Sequence, residues 1–126
     1  MKNIVSILSF IAIFISSSLV AQTGTSVKSA SVSAVTETLK VSGVCSMCKK
    51  RIETAAYGVK GVQTAKWSSK DQLLTLTFDN KKTTKEAIAK RVAMAGHDVE
   101  TIKAADKTYQ KLPECCQYRD GAECEH

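Results

Sequence analysis

Between residues 37 and 102 the apolar residues switch between two spacings in a fixed succession, and that succession limits the fold more than any single residue does. Glu37 to Ser42 alternates, with Leu39 and Val41 on one side, as a strand does. Cys48 to Val59 then runs at helical steps. Cys48, Ile52, Ala55 and Val59 form one stripe, and Lys49, Lys50, Arg51 and Glu53 lie mostly off it. Gly58 and Gly61 supply the pliant backbone that a helix-to-strand turn needs. Val62 to Ser68, containing Ala65 and Trp67, reads as a second strand, and the polar link Ser68-Ser69-Lys70-Asp71 leads into a third from Gln72 to Phe78, the two making a hairpin. In the third, Leu74, Leu76 and Phe78 face one way. Thr83 with Glu86 three residues on predicts a capping box at the head of a second helix, which carries Ile88, Val92 and Ala95 and stops at Gly96. Val99 to Ile102 is read as the last strand. Two right-handed strand–helix–strand crossovers in this order give an α+β domain, a ferredoxin-like βαββαβ sandwich with both helices on one face of a four-stranded antiparallel sheet.

The segments outside this block set the compartment. Lys2 precedes an apolar run from Ile4 to Val20, and no charge occurs again until Lys28. One basic residue ahead of a run too short for the ~20 residues of a bilayer span reads as a signal peptide, residues 1–21, cut after Ala21. The chain is then expected to be periplasmic or secreted, with no stable membrane insertion once the leader is removed. Residues 22–36 are mainly Ser, Thr, Ala, Gly and Val, too small to fold alone, and read as a linker. The folded domain is placed at 37–104 and a Cys-rich tail at 105–126. The net charge of +6 comes from dispersed lysines without the interleaved aromatics that nucleic-acid binding needs, so an acidic protein partner fits better than a nucleic acid.

Five cysteines are present, Cys45, Cys48, Cys115, Cys116 and Cys124. An odd number cannot all pair within one chain, which points toward metal or redox chemistry. Cys45 and Cys48 fall where the first strand gives way to the first helix, so their sulfurs can converge on one ion. The unpaired amides of the helix start, with Lys49, Lys50 and Arg51 beside them, are expected to favour thiolate. Thiolates are soft donors: Cu(I) is the favoured ion, with Hg(II) and Zn as alternatives.

On Gly43-Val44-Cys45-Ser46-Met47-Cys48, the following Arg51-Ile52-Glu53, Gly61-Val62 and Ala95-Gly96-His97-Asp98-Val99, the stretch from Glu37 to Lys103 resembles the heavy-metal-associated domain family of copper chaperones, P-type ATPase modules and periplasmic mercury-binding proteins. The resemblance implies metal ligation by Cys45 and Cys48, and a metal donor or acceptor protein such as a transporter; the positive charge of Lys49, Lys50 and Arg51 makes them candidates to dock an acidic one. It implies transfer, sequestration or detoxification of a soft metal; no Ser–His–Asp set, carboxylate pair, phosphate loop or zinc-protease helix appears in the sequence, so no enzyme activity is expected. The family usually carries Met two residues before the first Cys, packed beneath the loop. Here Gly43 holds that place and Met47 lies between the cysteines, where it reads as a solvent-facing or loop-packing residue. His97 stands where some bacterial copper chaperones bring an imidazole near the ion, which makes it a candidate third ligand or pH-sensitive neighbour.

The tail places Cys115, Cys116, Cys124 and His126 within twelve residues. Its cysteines can form a second soft-metal site, fold over Cys45 and Cys48 to complete a multi-sulfur site, or make disulfides. Two other functions compete with metal binding. One is a thiol–disulfide oxidoreductase using Cys45 and Cys48, disfavoured because the only proline, Pro113, lies in the tail and cannot face the pair as in thioredoxins. The other is a disulfide-stabilised interaction module.

Overall fold

The computed structural model of the protein describes residues 33–121. The predicted leader, most of the predicted linker, Cys124 and His126 lie outside the described residues. Among the described residues no helix is long and apolar enough to cross a membrane.

The strands are β1 (Ala34–Lys40), β2 (Val62–Ser68) and β3 (Leu73–Asp79), and the helices are α1 (Ser46–Tyr57), α2 (Lys85–Met94) and the short α3 (Asp106–Tyr109). The sheet is antiparallel in the order β1-β3-β2. Register follows the apolar alternation: Leu39 and Trp67 both stand opposite Leu74, and Ala65 stands opposite Leu76. A one-residue slip would turn this whole set to solvent. The inward side chains Leu39, Ala65, Trp67, Leu74, Leu76 and Phe78 are buried with Ile52 and Ala56 of α1 and Ile88 and Val92 of α2 in one core. The buried stripe of α1 is Cys48, Ile52 and Ala56, at steps of four, so Ala56 takes the place expected of Ala55. β1 begins at Ala34, inside the predicted linker.

The predicted fourth strand is replaced by one bridge. Val99 pairs with Val41 on the outer side of β1, where Ser42 N–H donates to the Asp98 carbonyl and Glu100 N–H to the Lys40 carbonyl, both at 2.9 Å. The chain then turns back at once: Val99 and Ile102 exchange both backbone hydrogen bonds, and Glu100 takes a φ of 49°. A two-residue reversal leaves no length for a ladder, so the sheet has three strands rather than four.

The second helix is capped one residue later than predicted. Thr84, not Thr83, accepts the Ala87 N–H, at 3.3 Å, and Thr83 is buried instead. Gly96 follows α2 at a φ of 104°, and a Cβ there would stand 2.9 Å from Leu112 Cδ2. Glycine is thus required twice over, by the left-handed backbone and by the close approach of the tail.

Residues 105–121 pack onto this core rather than trailing from it. Tyr109, Leu112 and Cys116 are buried in the same cluster as the sheet and helices. Tyr118 stacks on His97 at 5.7 Å between ring centres and meets Tyr109 edge-on at 5.2 Å. Its hydroxyl accepts from Asp98 N–H at 2.8 Å and donates to the Gly96 carbonyl at 3.2 Å.

Candidate metal centre

Cys45 is the N-cap of α1, with extended backbone, and its Sγ accepts the Cys48 N–H at 3.3 Å. That bond satisfies one of the orphan amides of the helix start and brings Cys45 and Cys48 sulfurs to 3.2 Å. From the opposite side comes a single 3₁₀ turn, Glu114–Cys116, closed by Cys116 N–H donating to the Pro113 carbonyl at 2.7 Å. It delivers Cys116 Sγ to 3.5 Å from Cys45 Sγ and 4.0 Å from Cys115 Sγ. The sulfurs of Cys45, Cys115 and Cys116 all lie within 4.8 Å of one another. Of the three arrangements open to the tail, the described residues adopt the one in which it folds over the first pair.

Donor chemistry and spacing both suit a soft ion. Sulfurs sharing one ion at the ~2.3 Å typical of a metal–thiolate bond stand about 4 Å apart, so separations of 3.2 to 4.0 Å admit an ion after sub-ångström adjustment. Every donor in the group is sulfur, which selects Cu(I)-like ions over hard ones.

The protonation state departs from expectation. The helix start and nearby cations were expected to favour thiolate, yet burial pushes the Cys48 thiol up, against hydrogen bonds from the loop backbone. Burial pushes the Cys116 thiol far up, reinforced by Cys45 and Cys48 at its side. Cys45, Cys48 and Cys116 are all under 4% exposed, so the pair is covered rather than open to solvent, and desolvation penalises the anion. Lys49, Lys50 and Arg51 are exposed and do not offset it; Lys49 reaches Glu53 at 3.7 Å.

His97 is placed close by but outside the sulfur group. Its ring is fully buried, with Nδ1 2.9 Å from the Ser42 carbonyl, an acceptor that makes Nδ1 the protonated nitrogen. Nε2 is buried with no hydrogen-bond partner. Burial holds the imidazole below its ordinary pKa, against the Ser42 carbonyl, so the ring is neutral near pH 7.

The loop departs from the family pattern at Gly43, and the packing shows why it can. A Cβ on Gly43 would lie 3.1 Å from both the Trp67 ring and Cys48 Cβ. The Trp67 indole, with Nε1–H donating to the Val41 carbonyl at 3.1 Å, fills the space against Gly43 that a side chain at this position would need.

The comparisons agree with this architecture. Residues 38–98 match the family described as Heavy-metal-associated domain. This segment is a heavy-metal-associated domain. The chain is similar to a solved structure of the CopZ metallochaperone (25% identity, TM-score 0.51, 52% of this chain and 100% of that one). It is similar to a putative copper-ion-binding protein from Bacillus anthracis (27%, TM-score 0.52, 56% and 100%) and to a copper-binding domain of a P-type ATPase (26%, TM-score 0.50, 52% and 89%). No curated protein matches the chain. The heavy-metal-associated domain matched here ends before α3, so Cys115 and Cys116 lie beyond the matched segment.

Sequence reasoning missed Tyr109, Tyr118 and Arg119, which hold the tail in place. The signal was available only as a cluster of two aromatics and one arginine flanking the Cys pair, without anything to say what they touch.

Proposed function

We propose that this chain is an exported, non-enzymatic carrier of a soft metal ion, Cu(I) before Hg(II) or Zn, and that Cys45, Cys48, Cys115 and Cys116 hold the ion together. The observation that carries this reading is the meeting of the loop with the tail at Cys45 and Cys116, 3.5 Å between sulfurs, with Cys48 3.2 Å from Cys45 and Cys115 4.0 Å from Cys116. Relatives of the matched domain described as copper chaperones and as a P-type ATPase domain support transfer to or from a transporter. Export rests on the leader-like residues 1–21, and the same pattern supports a periplasmic or secreted location.

The protonation state favours binding over redox catalysis. An oxidoreductase needs a low-pKa nucleophilic thiol, whereas burial raises Cys48 and Cys116 here. A soft cation displaces the thiol protons when it binds. Release to an acceptor proceeds by ligand exchange, one incoming sulfur forming a bond as one resident sulfur leaves, and Lys49, Lys50 and Arg51 steer an acidic acceptor.

Anaerobic titration of the reduced protein with Cu(I) against a competing chelator tests the reading. The native protein takes up Cu(I), Cys45→Ser with Cys48→Ser abolishes high-affinity uptake, and Cys115→Ser with Cys116→Ser weakens it. Full retention by the first double variant would remove the loop pair from the site.

A further inference from the structure

The sulfur group does not end at the buried thiols. Five sulfurs form a continuous row from the surface inward: Met47 Sδ to Cys115 Sγ at 3.8 Å, Cys115 to Cys116 at 4.0 Å, Cys116 to Cys45 at 3.5 Å, and Cys45 to Cys48 at 3.2 Å. Exposure falls along it. Met47 is 46% exposed and Cys115 half-buried, and the last three are closed off from solvent. Met47 also lines a cleft of about 800 Å³ between the two long helices and the tail, with Lys50, Arg51, Met94 and Leu112, so a molecule in solution can reach its thioether.

We propose that Met47 and Cys115 form an outer metal station that receives a soft ion and passes it to the buried thiols. The inference rests on the function proposed above and assigns to Met47 a role that the matched family's two-cysteine motif does not contain. With Cys45, Cys48 and Cys116 buried, Met47 and Cys115 are the sulfurs of the row that a metal complex in solution meets first. The chemistry of a thioether suits the step. It is a soft donor that needs no deprotonation and binds Cu(I) more weakly than a thiolate, so it can take the ion and also release it. An apolar role does not account for the side chain, which lies outside the core with its sulfur against a thiol.

The transfer balances without redox change. Cu(I) leaves a donor's sulfur or nitrogen as bonds to Met47 Sδ and Cys115 Sγ form, and the Cys115 proton goes to the departing donor group or to water. A bond to Cys116 then forms as the bond to Met47 breaks. The Cys116 proton passes to water as that bond forms, Met47 returns unchanged, and copper stays Cu(I) throughout.

Stopped-flow uptake of Cu(I) from its bicinchoninate complex by the reduced full chain tests this. Met47→Leu, at an exposed site and of similar volume, is expected to slow uptake about tenfold, about 1.4 kcal/mol of barrier, with the end point unchanged. Met47→Cys, which restores a soft donor, recovers the rate, and Met94→Leu, exposed in the same cleft but outside the row, leaves it unaltered. Native-rate uptake by Met47→Leu, or failure of Met47→Cys to recover a slowed rate, overturns the station while leaving the buried site standing. Absence of Cu(I) uptake by the native protein overturns the buried site and the station together.

Discussion

Arg119 grips Asp98 with two parallel hydrogen bonds, Nε to Oδ2 at 3.1 Å and Nη2 to Oδ1 at 2.5 Å. The same guanidinium reaches the Ala104 carbonyl at 2.9 Å and Asp106 Oδ1 at 2.8 Å, and its carbon lies 4.4 Å above the Tyr109 ring. Asp98 adjoins His97 in the loop after α2, and Arg119 follows the Cys115–Cys116 turn by three residues. The fork–fork pair therefore fixes the tail to the domain next to the sulfurs, and its directional geometry is of the kind that only arginine supplies.

Arg119→Ala is expected to lower stability by about 2 kcal/mol, since bonds to charged groups are worth about 1.5–3 kcal/mol and this pair is largely shielded from water. Urea unfolding measures the loss. Alkylation of the reduced protein reads the consequence at the site: Cys116, buried in the native protein, should react faster in the variant. Unchanged alkylation would show that Leu112, Tyr109 and Tyr118 hold the tail without the clamp.

His97 predicts a pH dependence with a definite sign. Its folded pKa lies below the ordinary 6.5 because burial disfavours the imidazolium, with Arg51 adding to the effect and the Ser42 carbonyl and Asp98 opposing it. The unfolded chain therefore takes up the proton first, and stability falls as pH drops below about 6.5 until the folded pKa is passed. His97→Phe, which keeps a ring against Tyr118, should remove that slope. Asp79, held low by the Lys81 N–H, and Asp98, held low by Arg119 against the opposing effect of burial, add losses only below their ordinary 3.8. Denaturation midpoints at pH 7.5 and pH 5 for the two proteins separate the contributions.

The single tryptophan reports on metal entry. Trp67 and Cys48 both approach the same point beside Gly43, so an ion bound by the loop sulfurs lies close to the indole. One equivalent of Hg(II), whose heavy nucleus promotes intersystem crossing, should quench the Trp67 emission. Cys45→Ser with Cys48→Ser should abolish the quenching; persistent quenching would place the ion elsewhere.

What the sequence revealed and what it hid divide by range. β2 and β3 were legible because their alternation reaches its neighbour through a four-residue link, and the Cys45–Cys48 placement was legible because one turn of helix decides it. Thr83 and Thr84 were ambiguous, since adjacent threonines before a helix offer equal caps and only the burial of Thr83 separates them. The last strand was lost to a local reversal at Glu100, where a positive φ on a non-glycine residue leaves no compositional mark. The tail was hidden for a different reason. Its seat depends on contacts between distant positions, Leu112 on Gly96 and Arg119 on Asp98, which no periodicity encodes. The burial that raises the Cys48 and Cys116 thiols follows in part from that seat, and no periodicity encodes it either.

Gly43→Met tests whether Trp67 has taken over the support of the metal loop. In a loop built like the family's, a methionine at this position would be at home. Here even a single Cβ meets the indole and Cys48 Cβ at 3.1 Å, which is tighter than ordinary van der Waals contact, and neither neighbour is a flexible chain end. Trp67 cannot withdraw without breaking its hydrogen bond to the Val41 carbonyl and opening the core beside Leu74. Overpacking of this kind costs about 1–3 kcal/mol, so the variant should unfold at correspondingly lower denaturant. Combining it with Trp67→Leu, which vacates space under the loop, should cost less than the sum of the two single changes, because the two residues contend for one volume. Strict additivity in that double-mutant cycle would mean that the indole and the loop do not share the space, and the account of Gly43 would fail.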